Sequence, residues 1–149
     1  MSYLLDANVL LRWLETSDPR HTRVKAAIAA LENQGHTLHI TPQNVIEFWA
    51  VASRPTADNG FGWDLPRCDA AVPLLLASFE FLPDTPAIFD EWWRLVKVCG
   101  VSGVQVHDTR LVAVIKTHGL DGILTFNTRH FRRFEIGEGI AVIDPATVK

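Results

Sequence analysis

The chain has 149 residues, is 48% hydrophobic and carries a formal net charge of −3, which suits one domain, residues 1–149, with a sizeable core. That charge excludes a whole-molecule positive field for gathering nucleic acid, so any polyanion must be met by a local patch or a metal. Cys68 and Cys99 form no CxxC pair and read as buried thiols in a reducing cytoplasm, and no stretch reads as a signal peptide or membrane span.

The run Tyr3–Leu5 reads as a buried strand that delivers Asp6 to its exposed tip, followed by a short helix over Val9–Glu15. Ser17-Asp18-Pro19 is a turn, and His21–Gln34 is an amphipathic helix stopped by Gly35. Thr37–Ile40 is a second strand. Thr41-Pro42 then opens a very apolar helix, Val45–Ser53, whose single acid is Glu47. Arg54-Pro55 ends that helix, and Thr56–Trp63, with Asp58-Asn59-Gly60, is a polar loop expected to be the mobile element beside the site, with Trp63 exposed.

Pro66–Ala77 is helical with a disturbance at Pro73, Phe79–Leu82 is a strand, and Pro86–Cys99 is an amphipathic helix holding Trp92-Trp93. Asp108 stands just before an apolar helix that runs to His118 and stops at Gly119. Gly122–Phe126 is the clearest later strand, Thr128–Phe134 is a basic loop or short helix, and Ile140–Ile143 closes the pattern. Strands alternating with helices predict an α/β fold, a three-layer α/β/α sandwich around a parallel sheet.

Taken singly, Asp6 and Asp108 have ordinary readings as a strand end and a helix cap. Glu47 is harder to dismiss, because a carboxylate among Val45, Ile46, Phe48, Trp49 and Ala50 is costly without a partner or cation. A parallel sheet puts all three acids at one end of the molecule. Converging carboxylates repel unless a cation neutralises them, and an all-oxygen set suits Mg²⁺ or Mn²⁺ better than zinc. Asn127, where the later strand ends, either ligates through its carbonyl oxygen or is a turn residue, and Asn8 either orients Asp6 or caps the short helix.

In LLDANVLLRW, TPQNVIEFWAVASRP, VHDTRLVAVIKTHG and ILTFNTRHFRRF, met in that order, the chain resembles PIN-domain ribonucleases, specifically the VapC toxins of VapBC toxin–antitoxin modules. The resemblance runs from Ser2 to about Ile143. It implies a sheet of four or five strands, a homodimer, inhibition by a small VapB-like antitoxin, and Mg²⁺- or Mn²⁺-dependent cleavage of RNA. Asp6, Glu47 and Asp108 match the three acidic positions. Asn127 matches a fourth that is often Asp, so one negative charge is missing there.

Candidate substrate contacts are Asn8, Arg54, Thr125, Arg129 and Arg132, among a sparse basic set that also includes Arg12, Arg20, Arg23, Lys25, His130 and Arg133. Two rivals stand beside this reading. One is a haloacid-dehalogenase-type phosphatase, which wants a second acid where the chain has Asn8. The other is a catalytically weak domain that binds RNA or regulates a partner.

Overall fold

The computed structural model describes Met1–Lys149. In chain order the elements are β1 (Ser2–Leu5), α1 (Ala7–Leu14), α2 (His21–Asn33), β2 (Thr37–Ile40), α3 (Pro42–Ser53), α4 (Leu65–Ser78), β3 (Glu80–Phe81), α5 (Pro86–Val98), α6 (Gln105–His118), β4 (Gly122–Leu124), α7 (Thr128–Glu138) and β5 (Ala141–Ile143). Single 3₁₀ turns lie at Thr56–Asp58 and Pro145–Thr147. No helix is long and apolar enough to cross a membrane.

The five strands pair in parallel in the order β3-β2-β1-β4-β5. The chain builds outward from β1 to β3, then crosses back to lay β4 on the other side of β1. The sheet order therefore reverses between β1 and β4, and the crevice beyond their carboxyl ends is where such folds bind ligands. Both strands end there, at Leu5 and Leu124, one residue before Asp6 and Thr125.

Strand alternation divides the core in two. Tyr3 and Leu5 of β1 and Leu124 of β4 join α1, α2 and α3 side chains such as Leu10, Ile28 and Phe48. Leu4 and Ile123 face the other way, against Leu95, Leu111, Ile115, Phe131 and Phe134. The sheet is thus covered on both faces, as the alternating pattern predicts.

Three local expectations change. α4, Leu65–Ser78, runs unbroken through Pro73. The basic segment after Asn127 is an eleven-residue helix, α7, longer than its polar composition suggested, because Phe131 and Phe134 are buried against the second core. Trp63, expected to be exposed, is only 6% exposed. Its indole N–H donates to Glu15 Oε2 at 2.6 Å, its ring meets Phe48 edge-on, and the Arg67 guanidinium lies 3.8 Å from its centroid. The loop it ends is tied down as well: the amides of Gly60, Phe61, Gly62 and Trp63 donate to the carbonyls of Pro55, Val51, Arg54 and Ala52. A segment read as mobile from its glycines is a tightly bonded cap on α3.

Candidate active site

Asp6 terminates β1 and caps α1. Its backbone is extended, φ −71° and ψ 152°, and Oδ1 accepts the Ala7 N–H at 2.8 Å. Oδ2 accepts the Thr125 hydroxyl at 2.7 Å, and the Asn8 amide approaches the same oxygen at 3.4 Å. Asn8 also reaches across to β4, taking the Phe126 N–H on its own oxygen at 3.3 Å. Asn8 and Thr125 thereby stitch the two strand ends together around one buried carboxylate.

Glu47 lies on the second turn of α3, half-buried, with Oε1 accepting the Gln43 amide at 2.8 Å. Gln43 is itself held by the His107 carbonyl at 2.7 Å and by Arg110 at 3.0 Å. Asp108 sits in the first turn of α6, the helix start expected for it, and its Oδ2 pairs with His130 Nδ1 at 3.2 Å. All three acids, with Asn8, Asn127 and His130, line one open cleft of about 380 Å³.

The electrostatics record the convergence. The Asp6 carboxyl is raised to about 7, first by burial and also by the charges of Asp108 and Glu47, against the hydrogen bonds from Thr125 and the Ala7 amide. Glu47 is raised first by burial and also by Asp108, against the Gln43 hydrogen bond. Asp108 is raised by burial and lowered by His130. Three carboxyls that each hold their protons above the ordinary range form a site short of positive charge.

The fit to a divalent cation follows from this donor set, with one correction. No three acidic, imidazole or thiol side chains gather at common metal-binding distance, so the expected three-ligand sphere is not preassembled. Gln43 and His130 engage Glu47 and Asp108 individually. Mg²⁺ retains several waters and needs only one or two direct carboxylates, and an all-oxygen cleft with unneutralised acids fits that demand.

The remaining candidates divide. Arg54 and Asn127 line the cleft. Thr125, a candidate substrate contact, is fully buried and serves to orient Asp6; its oxygen also accepts the Asn127 N–H at 3.0 Å. Arg129 and Arg132 do not line the cleft. α7 turns Phe131 and Phe134 inward, so Arg132 faces out, bonded to Glu135 at 3.1 Å, and Arg133 bonds Gln105 at 3.0 Å. Sequence reasoning missed Gln43 and Asn59. Gln43 was findable as the residue one helical turn before Glu47, whereas the placement of Asn59 at the cleft depends on the folded loop.

The sequence matches the PIN domain family over residues 3–136. No curated protein matches it. Among solved structures it is similar to VapBC2 from Rickettsia felis bound to a DNA fragment from its promoter, with a TM-score of 0.68, 13% identity, and 97% of this chain and 98% of that one covered. VapBC-1 from nontypeable Haemophilus influenzae gives a TM-score of 0.68 at 17% identity, covering 99% and 100%. VapC20 from Mycobacterium tuberculosis, a toxin that cleaves the sarcin-ricin loop, gives 0.65 at 15% identity, covering 88% and 94%.

Proposed function

The chain belongs to the PIN-domain family, and on that premise we propose that it is a metal-dependent endoribonuclease, the toxin of a toxin–antitoxin pair. The observation that carries the reading is the buried Asp6 at the β1–β4 switch point, facing Glu47 and Asp108 across one cleft. The RNA substrate and an antitoxin partner are supported by the similar VapBC and VapC20 structures. The chain is further read as a single domain from its length, as acting in the cytoplasm from its two thiols, and as a homodimer from the family resemblance.

Asp6, Glu47 and Asp108 would hold Mg²⁺ or Mn²⁺, which lowers the pKa of a bound water and offsets charge on the phosphate. The protein's own part is positional. The Ala7 N–H and the Thr125 hydroxyl fix both Asp6 oxygens, so the carboxylate is presented to the cleft in one orientation without reorganising. Glu47 and Asp108 complete the acidic wall from α3 and α6. Asn127, at the N-cap of α7, makes no side-chain cap bond and offers its amide to the cleft. With water as nucleophile, the products carry 5′-phosphate and 3′-hydroxyl ends. The phosphatase alternative lacks its second acid, since Asn8 is engaged with Asp6, Thr125 and the Phe126 amide.

The test is cleavage of purified RNA in Mg²⁺ with analysis of the ends. Metal-dependent 5′-phosphate products, lost on chelation and in Asp6→Asn, support the assignment. Cyclic 2′,3′-phosphates would overturn the water-attack route, and binding without any cleavage would leave an RNA-binding domain.

A further inference from the structure

A cleft walled by three acids repels the polyanion it is proposed to cut, and the basic helix α7 does not relieve this because Arg132 and Arg133 are bonded away from it. The arginines that do line the cleft are Arg12 and Arg54, beside the His130 imidazole bonded to Asp108. Arg12 stands on α1, six residues beyond Asp6, about 9 Å along the helix at 1.5 Å per residue.

Arg12 is held with only part of its donor set used. Its guanidinium carbon lies 5.7 Å from the centroids of both Phe61 and Phe126, within cation–π reach of each, and Arg20 approaches the same Phe126 ring at 4.8 Å. Nη1 donates to the Asn8 carbonyl at 2.9 Å, while Nε is buried with no hydrogen-bond partner and its nearest carboxylate, Asp18, is 3.9 Å away. A planar five-donor group with two aromatic rings beside it, one strong acceptor and one distant carboxylate keeps donors for a phosphate.

The opposite edge of this wall is the cap on α3. Asn59 is the one non-glycine residue with a positive φ, 63°, and it lines the cleft. The loop shape is imposed rather than incidental: a Cβ on the neighbouring Gly60 would run into the Arg54 carbonyl. Glycine satisfies a left-handed position at least as well as asparagine, so the amide at Asn59 is surplus to the turn.

We propose that Arg12, Asn59 and Arg54 form a phosphate subsite for the nucleotide next to the phosphodiester at Asp6. Arg12 and Arg54 receive the phosphate oxygens, and the Asn59 amide donates to a backbone oxygen of the same nucleotide. The proposal rests on the nuclease reading and names where its RNA strand leaves the acidic centre.

The test is anisotropy titration of a fluorescein-labelled, mixed-sequence single-stranded oligoribonucleotide against the Asp6→Asn protein, which binds without cutting, across a salt series. Adding Arg12→Gln is expected to weaken binding by about tenfold and to reduce the slope of log affinity against log salt by about one. Asn59→Gly keeps the turn and removes the amide, and is expected to weaken binding about threefold with an unchanged or higher melting temperature. Lys97→Gln, on α5, serves as the charge control and leaves both quantities unaltered. Normal affinity and salt slope in Arg12→Gln and Asn59→Gly overturn the subsite. If Arg12→Gln fails to fold, Asn59→Gly alone decides. Cleavage by the unmodified chain separates the two readings: cutting with normal binding by the variants sinks the subsite and leaves the nuclease, whereas weakened binding by the variants without any cutting keeps the subsite and sinks the nuclease.

Discussion

Around Asp6 the polar contacts come from the Ala7 backbone amide and from two short side chains, the Thr125 hydroxyl one residue past a central strand and the Asn8 amide. Around Glu47 and Asp108 they come from the ends of Gln43 and His130, side chains with rotatable bonds. The corner at Asp6 is therefore built at folding, while at Asp108 the acid is held by an exposed imidazole alone. The carboxylate that cannot move is also the one most deprived of water, and its proton affinity registers the cost.

Breaking the fixed corner should have the largest consequence. Asp6→Asn removes a charge and little volume, and cleavage should fall by roughly 10³-fold, the scale of losing one preorganised electrostatic partner. The same variant should melt several degrees higher than the parent in metal-free buffer at pH 8, because ionising the buried carboxyl costs the fold on the order of 4 kcal/mol for a shift from its ordinary value to about 7. An unchanged or lower melting temperature would show that Asp6 is already neutralised within the protein.

The pH dependence has a definite sign. A carboxyl that binds its proton more tightly folded than unfolded is favourable to the fold below about pH 4. That advantage is lost as pH rises through about 7, since the native state holds the extra proton. Denaturant titrations of metal-free protein should show stability falling over this window and levelling above it. Mg²⁺ at pH 8 should recover part of the loss, and the metal concentration needed should fall as pH rises from 6 to 8, because protons compete for the same oxygens.

Removing a supporting group distinguishes the two corners more finely. Thr125→Val deletes the hydroxyl that fixes Asp6 Oδ2 and should cost roughly 10- to 100-fold in metal affinity or activity. His130→Ala frees Asp108 from a half-exposed contact, so stability should stay within about 1 kcal/mol of the parent. The Mg²⁺ needed for half-maximal cleavage should drop rather than rise. Equal losses in the two variants would erase the distinction between the corner at Asp6 and that at Asp108.

How legible this was in the sequence depended on whether a residue's surroundings were local. The strand tip at Asp6 and the misplaced charge of Glu47 declared themselves through immediate neighbours, and the alternation of strands and helices carried the parallel sheet. The role of Thr125 was not legible, because it arises from β4 lying beside β1 across 119 residues of chain. Arg129 and Arg132 misled because adjacency to Asn127 ignored the helical rotation that α7 imposes. Trp63 misled because glycines in the loop suggested freedom, whereas four backbone bonds and Glu15 fix its end.

The smallest expected effect concerns Asn127, where the neutral amide leaves the cleft one charge short of the family's common pattern. Asn127→Asp adds that charge at an exposed position of the cleft, where an attraction across about 4 Å of water is worth roughly 1 kcal/mol. The Mg²⁺ concentration for half-maximal cleavage should therefore fall by about fivefold, and metal-free stability should drop slightly because a fourth acid joins three that already repel. If the metal requirement does not move, the amide at this position contacts the RNA or the turn alone, and the cation lies nearer the fixed corner at Asp6.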